Sequence, residues 1–218
     1  MSVRKQKLIN DPNTLLSDML AGFSVAYADI VRLTDNGLIV RRHPKAQGKV
    51  GLVIGNGSGH EPAMIGLVGE GLFDVNIPGE IFTAPGPERI VDGIKAADYG
   101  AGVLVCVSHH AGDLMNAEMA LELCDMEDID DVEMVVLYDD ISSAPKGQEP
   151  ERRGTAGLFF VWKMLGAFAE TSDDLQACKI VAEKIRDNTR TLALALTSCA
   201  SPVTGEVMFE IADDEMEI

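Results

Sequence analysis

The sequence is poor in aromatic and in basic side chains. Aromatic residues make up 5% of the chain, and 18 Lys and Arg residues face 35 Asp and Glu residues, for a net charge of −17. This excess of negative charge argues against binding nucleic acid or an anionic membrane surface through bulk electrostatics. A phosphorylated substrate stays open, because a site can be locally positive.

The sequence also lacks long apolar runs and paired cysteine spacings. No segment reaches the roughly 18 consecutive apolar residues of a membrane span, and no signal-type apolar core follows the polar residues 1–7. The four cysteines lie far apart in apolar runs: Cys106, Cys124, Cys178 and Cys199. We therefore expect a cytoplasmic protein with buried free thiols and no bound metal.

Apolar runs alternate with helical patterns along the 218 residues. The predicted strands lie near 48–54, 72–77, 103–107, 133–138 and 191–196. The first predicted helix begins at Asp11-Pro12. Further predicted helices lie near 61–70, 85–97, 112–125, 154–169 and 174–188. This alternation predicts an α/β fold with a mainly parallel sheet flanked by helices.

Glycine and polar residues follow three of the predicted strands, at Gly55–His60, Ser108–Asp113 and Asp139-Asp140. Ligands of parallel sheets bind beyond the carboxyl ends of the strands. These three segments are therefore candidates for one site at one edge of the sheet.

The stretch Gly55–Pro62 fits none of the common nucleotide or hydrolase motifs. The dinucleotide fingerprint needs glycine where His60 stands, the serine-hydrolase elbow around Ser58 needs glycine at 56 and 60, and no Gly-Lys-Ser/Thr triplet occurs. Gly57 and Gly59 instead permit positive φ and close approach of a ligand to backbone amides. A tight turn without a ligand explains the glycines equally well.

The ionisable residues near the strand ends each have two interpretations. His60 is either a capping or core-edge histidine or an acid/base group beside the glycines. Asp113 is either a helix N-cap or a carboxylate that accepts a hydroxyl proton. The pair His109-His110, near Cys106, makes a poor chelating pair, because neighbouring residues of an extended chain point to opposite faces.

Two further charged pairs and the end of the chain are interpreted as solvated. Arg152-Arg153 and Asp139-Asp140 are expected to be loop charges in contact with water. The acidic stretch Asp213–Ile218 has the composition of a disordered end.

Several motifs in order carry a resemblance to a known family. They are Gly57–Pro62, Gly79–Pro85, Gly112–Asn116, Arg152–Gly157 with Lys163, Asn188–Arg190 and Asp214–Glu217. With this order and spacing, from about Lys7 to the last residue, the chain resembles the dihydroxyacetone kinase K subunit.

The resemblance implies that residues 1–218 form the three-layer, ketose-binding N-terminal α/β domain of such a kinase subunit. Its substrate would be dihydroxyacetone or a related short ketose. The phosphoryl donor, ADP/ATP with magnesium, would be held by a nucleotide-bearing L subunit or domain and not by this chain. The resemblance also implies a homodimer.

The resemblance further implies roles for individual residues. Gly57, with Ser58 and Gly59, would contact the substrate through the backbone. His60 would hydrogen-bond and polarise the substrate, and Asp113 would act as the general base on the attacking hydroxyl.

Two departures from the family pattern affect these expectations. The first departure concerns residue identities near the expected site. The family usually has Lys-Asn-Tyr-Thr before Gly-Asp, where this sequence has Ser108–Ala111, and Asn56 stands where many relatives have glycine. A four-carbon ketose such as erythrulose is therefore an alternative substrate, with Ser108 and His110 as additional contacts.

The second departure is that the sequence ends at Ile218. The family continues into a Gly-x-Gly-x-His-Gly-Glu stretch, whose histidine binds the substrate covalently, and then into another domain. We expect either a truncated product or a naturally short relative, weak or inactive by itself because substrate positioning is reduced. A non-catalytic, ketose-sensing coactivator that binds a transcription factor is the alternative.

Overall fold

The computed structural model describes residues 8–212 and 214–218, and these alternate between strands and helices. In chain order the elements are α1 (Leu15–Ala26), β1 (Val31–Leu33), β2 (Ile39–Arg41), β3 (Lys49–Ser58), β4 (Val75–Ile81), α2 (Pro87–Ala97), β5 (Gly100–Ser108), α3 (Ala111–Met126), β6 (Val132–Leu137), α4 (Leu158–Ala169) and α5 (Leu175–Asp187). Short 3₁₀ turns, Ile65–Leu67 and Glu149–Glu151, lie in the connections after β3 and β6. The predicted α/β class is confirmed.

The strands form one sheet in the order β1-β2-β4-β3-β5-β6. Strand β3 pairs in parallel with β4 and β5, and β5 pairs in parallel with β6, whereas β1 and β2 extend the other edge in antiparallel fashion. From β3 the chain runs to β4 on one side and then returns to β5 on the other. The strand order thus reverses between β3 and β5, and open α/β sheets bind ligands in the crevice at such a reversal.

Helices cover both faces of the sheet, which gives the predicted three layers. Alternate residues of β3 point to opposite faces: Val53 packs under α2 and α3, whereas Leu52 and Ile54 pack under α4 and α5. Helix α1 covers the antiparallel edge, with Leu20 in one cluster with Ile39. Each of these fully buried aliphatic side chains stabilises the fold by about 1.5–3 kcal/mol relative to exposure.

Helix α1 begins later than the Asp11-Pro12 signal predicts. The Asp11 carboxylate accepts a hydrogen bond from the Asn13 amide at 2.8 Å, and the Asp11 carbonyl oxygen accepts one from the Thr14 amide at 3.1 Å. Residues 11–14 therefore form a turn that precedes the helix.

Two other predicted elements are wrong. In place of a helix over 61–70 the structure has only the turn Ile65–Leu67, and in place of a strand over 191–196 it has isolated bridges at Thr191 and Ala195. The alternating leucines of that segment, Leu192, Leu194 and Leu196, are more than half exposed. No neighbouring strand in the described ranges pairs along this segment, so the alternation has no sheet to join.

The cysteine prediction holds for three of the four residues. Cys106, Cys124 and Cys178 are buried free thiols, whereas Cys199, which lies outside the helices and sheet, is exposed. Burial raises the pKa of the Cys106 thiol and keeps it protonated and unreactive. Residues 1–7 and Asp213, which carry the predictions for the two chain ends, lie outside the described residues.

Helices of the described ranges are too short or too polar to cross a bilayer. The same ranges contain no group of three or more His, Cys, Asp or Glu side chains arranged to hold a metal ion.

Candidate functional site

The crevice between β3 and β5 opens at the carboxyl end of both strands. Strand β3 pairs with β5 up to Ile54 and Cys106, but it pairs with β4 further, up to Ser58 and Ile81. The glycine-rich stretch is therefore the last part of a strand and not a loop that follows one. Residues 55–58 keep a strand partner on the β4 side, while the register with β5 ends before them.

Gly57 and Gly59 are needed for two different reasons. A Cβ on Gly57 would lie 2.7 Å from the Thr83 nitrogen and 2.9 Å from the Phe82 carbonyl carbon, so the close approach of two backbones excludes any side chain. Gly59 has φ +111°, a conformation that side-chain-bearing residues rarely adopt. The predicted close approach holds at Gly57, and the predicted positive φ holds at Gly59.

The side chains of Ser58 and Asn56 form hydrogen bonds within the protein. The buried Ser58 hydroxyl donates to the Gly79 carbonyl oxygen at 2.8 Å. The Asn56 amide donates to the Gly57 carbonyl oxygen at 2.6 Å and accepts from the Asn76 amide at 3.2 Å. These contacts fix the end of β3, so the Ser58 hydroxyl, part of a predicted substrate contact, supports the strand.

His60 is the second residue after β3 and is exposed. Its ring centroid lies 5.4 Å from that of Phe82, and its ring nitrogens have no hydrogen-bond partner among residues 8–212 and 214–218. The turn around it is fixed by Glu61, whose two carboxylate oxygens accept from the Gly59 amide at 3.1 and 2.9 Å. His60 is thus neither a helix cap nor a core-edge residue, and its imidazole is free to contact a ligand.

Asp113 lies in the first turn of α3, on the β5 side of the crevice. The N-cap of this helix is His110 and not Asp113, and the buried Oδ1 atom of Asp113 has no hydrogen-bond partner in the described part of the chain. Burial raises the pKa of the Asp113 carboxyl, and the nearby imidazoles of His110 and His60 oppose this shift only in part. A carboxyl with a raised pKa and a free oxygen is suited to general base catalysis near neutral pH.

Ser108 is the last residue of β5 and is almost fully buried. Its hydroxyl oxygen is a second buried polar atom without a partner in the described ranges. An unsatisfied buried polar group costs about 1–3 kcal/mol, so such groups are rare unless a ligand completes them. Of the four such side-chain atoms in the described ranges, those of Ser108 and Asp113 lie together at this end of the sheet, whereas Arg41 Nε and Trp162 Nε1 lie elsewhere.

The two histidines after β5 are held by backbone carbonyl groups. His109 Nδ1 lies 2.6 Å from the Arg152 carbonyl oxygen, and His110 Nε2 lies 2.9 Å from the Gly154 carbonyl oxygen. These contacts leave Nε2 of His109 and Nδ1 of His110 as the ring nitrogens that are not bonded to the Arg152–Gly154 carbonyl groups.

The interpretation of Asp139 and Asp140 as solvated charges is wrong. Both are buried, with 1% of the surface of each exposed. Burial opposes ionisation of Asp140, but hydrogen bonds from Ser142 and the charge of Arg153 outweigh it and lower its pKa. Arg152 is also buried and donates through Nε to the Ala144 carbonyl oxygen at 3.0 Å.

Sequence reasoning placed Asp139 and Asp140 at the candidate edge of the sheet, but it missed that they and Arg152 are buried. Asp139 binds residues 16 to 52 positions further along the chain. A local charge pattern cannot reveal such partners, although the Gly154-Thr-Ala-Gly157 stretch hinted at a constrained segment.

The family model for the Dak1 domain matches residues 21–218. The chain belongs to this family.

Curated relatives give the same result. The chain is 42% identical, over 98% of its length, to the PTS-dependent dihydroxyacetone kinase 1, dihydroxyacetone-binding subunit DhaK, of Listeria innocua serovar 6a. It is 40% identical, over 96% of its length, to the D-erythrulose kinase of Mycolicibacterium smegmatis. It spans 64% of the first protein and 36% of the second, and so less than two thirds of either.

Solved structures share the fold. The dihydroxyacetone kinase of C. freundii, in complex with AMP-PNP and Mg²⁺, matches with a TM-score of 0.82 and 31% identity over 90% of this chain and 37% of that one. The dihydroxyacetone kinase operon co-activator Dha-DhaQ matches with a TM-score of 0.82 and 30% identity over 91% of this chain and 60% of that one. The Dak1 family chain is therefore homologous to dihydroxyacetone-binding subunits, and its relatives include erythrulose kinases and a co-activator.

Proposed function

We propose that this chain binds a short ketose in the crevice between β3 and β5 and presents one of its hydroxyl groups for phosphoryl transfer. The observation that carries the proposal is the buried, unpartnered Oδ1 atom of Asp113 beside the imidazoles of His60 and His110. The homology to dihydroxyacetone-binding subunits supports the ketose as ligand.

Each residue contributes a distinct interaction. Gly57 brings backbone atoms close to the ligand, and His60 donates a hydrogen bond to the ketose oxygen and polarises the carbonyl. Asp113 accepts the proton of the attacking hydroxyl, for which its raised pKa is suited. Ser108 and His110 contact the remaining hydroxyl groups.

The phosphoryl donor is ATP or ADP with magnesium, held by a nucleotide-bearing partner subunit or domain. In support, this sequence has no phosphate-binding triplet, and the kinase of C. freundii, a much longer chain, forms a complex with AMP-PNP and Mg²⁺. The family resemblance also supports a homodimer in the cytoplasm.

A four-carbon ketose is the second candidate substrate. Ser108 occupies the end of β5 with a short side chain, which leaves more space in the crevice than the lysine usual at this position. The similarity to D-erythrulose kinase supports the same alternative.

The test measures ketose binding and phosphoryl transfer separately. Calorimetric titration with dihydroxyacetone and erythrulose should show saturable binding of the wild-type chain. With a nucleotide-bearing L subunit, ATP and magnesium, Asp113→Asn should keep binding but lose phosphoryl transfer. Asp125→Asn, at the exposed far end of the same helix, is the matched control.

The possible outcomes separate the candidates. Binding of neither ketose would refute the proposal. Binding without turnover in the presence of the nucleotide-bearing partner would support a sensing role like that of the co-activator relative.

A further inference from the structure

The carboxylate of Asp139, just after β6, gathers donors from two distant segments. Its Oδ1 accepts from the Thr155 amide at 2.5 Å, and its Oδ2 accepts from the Thr155 hydroxyl at 2.9 Å and the Gly157 amide at 2.8 Å. The Thr191 hydroxyl donates to the same Oδ2. A carboxylate at 1% exposure with this many donors fixes the position of the backbone it binds.

The segment held by Asp139 is Arg152–Gly157. It packs so closely against the strand ends that its two glycines have no space for a side chain. A Cβ on Gly157 would lie 2.5 Å from Asp139 Oδ2, and a Cβ on Gly154 would lie 2.7 Å from the Leu137 carbonyl oxygen. The segment also pairs with the strand ends through the backbone, because the Asp139 amide donates to the Arg153 carbonyl oxygen at 3.1 Å. Its two glycines and the carboxylate thus place its carbonyl groups to within a narrow range.

Two of these carbonyl groups are the ones that bind the histidines. The Arg152 carbonyl oxygen accepts from His109 Nδ1, and the Gly154 carbonyl oxygen accepts from His110 Nε2. A carbonyl oxygen can only accept, so the nitrogen that faces it carries the proton. His109 is therefore the Nδ1–H form and His110 the Nε2–H form when the rings are neutral.

From these contacts we infer that Asp139 is a positioning residue for the ketose site: through the Arg152–Gly157 segment it fixes the orientation and the protonated nitrogen of His109 and His110. The consequence for ketose binding rests on the proposed function. The effect on the histidines does not, because it concerns only the chain itself.

The fixed forms determine what the site offers a ligand. With Nε2–H bound to Gly154, neutral His110 has only the lone pair of Nδ1 left, which accepts a hydrogen bond from a ligand hydroxyl. If the ring flipped about its Cβ–Cγ bond, Nε2–H would face the ligand as a donor instead and would pair with different ligand atoms. Asp139 thereby affects which hydroxyl arrangement fits, although it does not touch the ligand.

Nitrogen-15 NMR of the imidazole rings reads the protonated nitrogen directly, and the sequence has only four histidines. His109 is the most informative reporter, because its Nδ1–H form is the less common one for a free imidazole in water. The variants are Asp139→Asn, which replaces the charged acceptor, and Thr191→Val, which removes a single donor. The control is Asp174→Asn, which makes the same change from carboxylate to amide at the N-cap that accepts from the Ala177 amide, at the other end of the sheet.

The expected result is a shift of His109 from Nδ1–H towards Nε2–H in Asp139→Asn and a smaller shift in Thr191→Val. His43, His60 and the Asp174→Asn control should be unchanged. Ketose affinity should fall by roughly 10- to 100-fold in Asp139→Asn with the fold retained by circular dichroism.

Wild-type forms of both rings in folded Thr191→Val and Asp139→Asn would overturn the inference. A shifted His109 with unchanged ketose affinity would overturn its link to the site. If the wild-type chain binds no ketose, the proposed function fails, and the NMR result still decides the role of Asp139.

Discussion

The two ends of the sheet treat their buried polar groups differently. At the amino end, the Asp74 carboxylate, fully buried before β4, accepts from Arg41 at 3.0 Å, Lys45 at 2.8 Å and the Leu52 amide at 2.8 Å. Arg41 also binds Glu170 at 2.8 Å, and of its nitrogens only Nε is buried without a partner in the described ranges. At the carboxyl end the Asp139 carboxylate is bonded in the same way, but beside the crevice buried oxygens of Asp113 and Ser108 have no partner in the described ranges.

This difference separates polar groups that hold the fold from those that face a ligand. Charges buried for structure are paired inside the protein, because an unpaired buried charge is costly. Groups left without a partner destabilise the free protein, and a ligand that completes them offsets that cost. Variants of the paired charges at the amino end should therefore change stability alone, whereas variants of the groups beside the crevice should change ketose binding or phosphoryl transfer most.

The largest effect is expected for Asp74→Ala. The change leaves Lys45 and Arg41 buried without this carboxylate, which should lower the free energy of unfolding by about 3–5 kcal/mol. Urea denaturation measures it, with Lys95→Ala as the control, since its 2.6 Å pair with Glu127 is exposed to solvent and should contribute little to stability. Equal losses in the two variants would contradict the proposed difference between paired buried charges and surface pairs.

Gly57→Ala should affect both stability and binding. The new methyl would overlap the Phe82–Thr83 backbone, which should cost about 1–3 kcal/mol of stability and displace the end of β3. Ketose affinity measured by titration should fall by at least about tenfold. Gly22→Ala, on a helix with no atom within 4 Å, is the control and should be neutral or slightly stabilising; wild-type affinity in folded Gly57→Ala would remove Gly57 from the site.

Asp113→Asn should stabilise the free protein at neutral pH by about 1 kcal/mol, because it removes a buried carboxylate with an unpartnered oxygen. Burial raises the pKa of Asp113 in the folded chain above the roughly 3.9 of an unfolded aspartate. The folded chain thus holds this proton to higher pH, so its stability relative to the variant falls as the pH rises from about 4 through the raised pKa. Below about pH 4 the two proteins should be equally stable in thermal unfolding; a constant difference across pH would show that Asp113 is solvated.

The smallest effect on stability is expected for Ser108→Ala. Removing the hydroxyl relieves an unsatisfied buried polar group but also leaves a small void, so the free energy of unfolding should stay within about 0.5 kcal/mol of wild type. Ketose binding should weaken by about fivefold through one lost hydrogen bond. Ser58→Ala should do the reverse, since its hydroxyl is bonded to Gly79. An unchanged ketose affinity in Ser108→Ala would exclude a ligand contact.

The central sheet was predictable because its strands are continuous apolar runs. Strands β3, β5 and β6 carry that pattern, and both faces of the sheet are covered, so each run could only be a buried strand. The three-residue strands β1 and β2 are too short to show any period and were missed. The leucines of 191–196 show the period of a strand but have no partner strand along their length.

The site was predictable only to the extent that its signals are local. The glycines, His60 and Asp113 each follow a strand, and that is enough to bring them to one edge. The network of Asp139 depends on Thr155 and Thr191, which are distant in sequence, so a reading of charge patterns takes it for a solvated pair. The residue at which β3 stops pairing with β5 also depends on the strand register, which short-range sequence patterns do not encode.

The contrast between Gly57 and Ser108 has a consequence for how the protein can evolve. On β3 the ligand would meet main-chain atoms at Gly57, where even a methyl group would clash. A substitution of Gly57 therefore cannot change the groups that face the ligand without moving the strand. At and just after the end of β5 the ligand would meet the side chains of Ser108 and His110, so an exchange there changes the groups that face the ligand. New substrate preferences should therefore arise by point mutation at the end of β5, on an invariant scaffold supplied by β3.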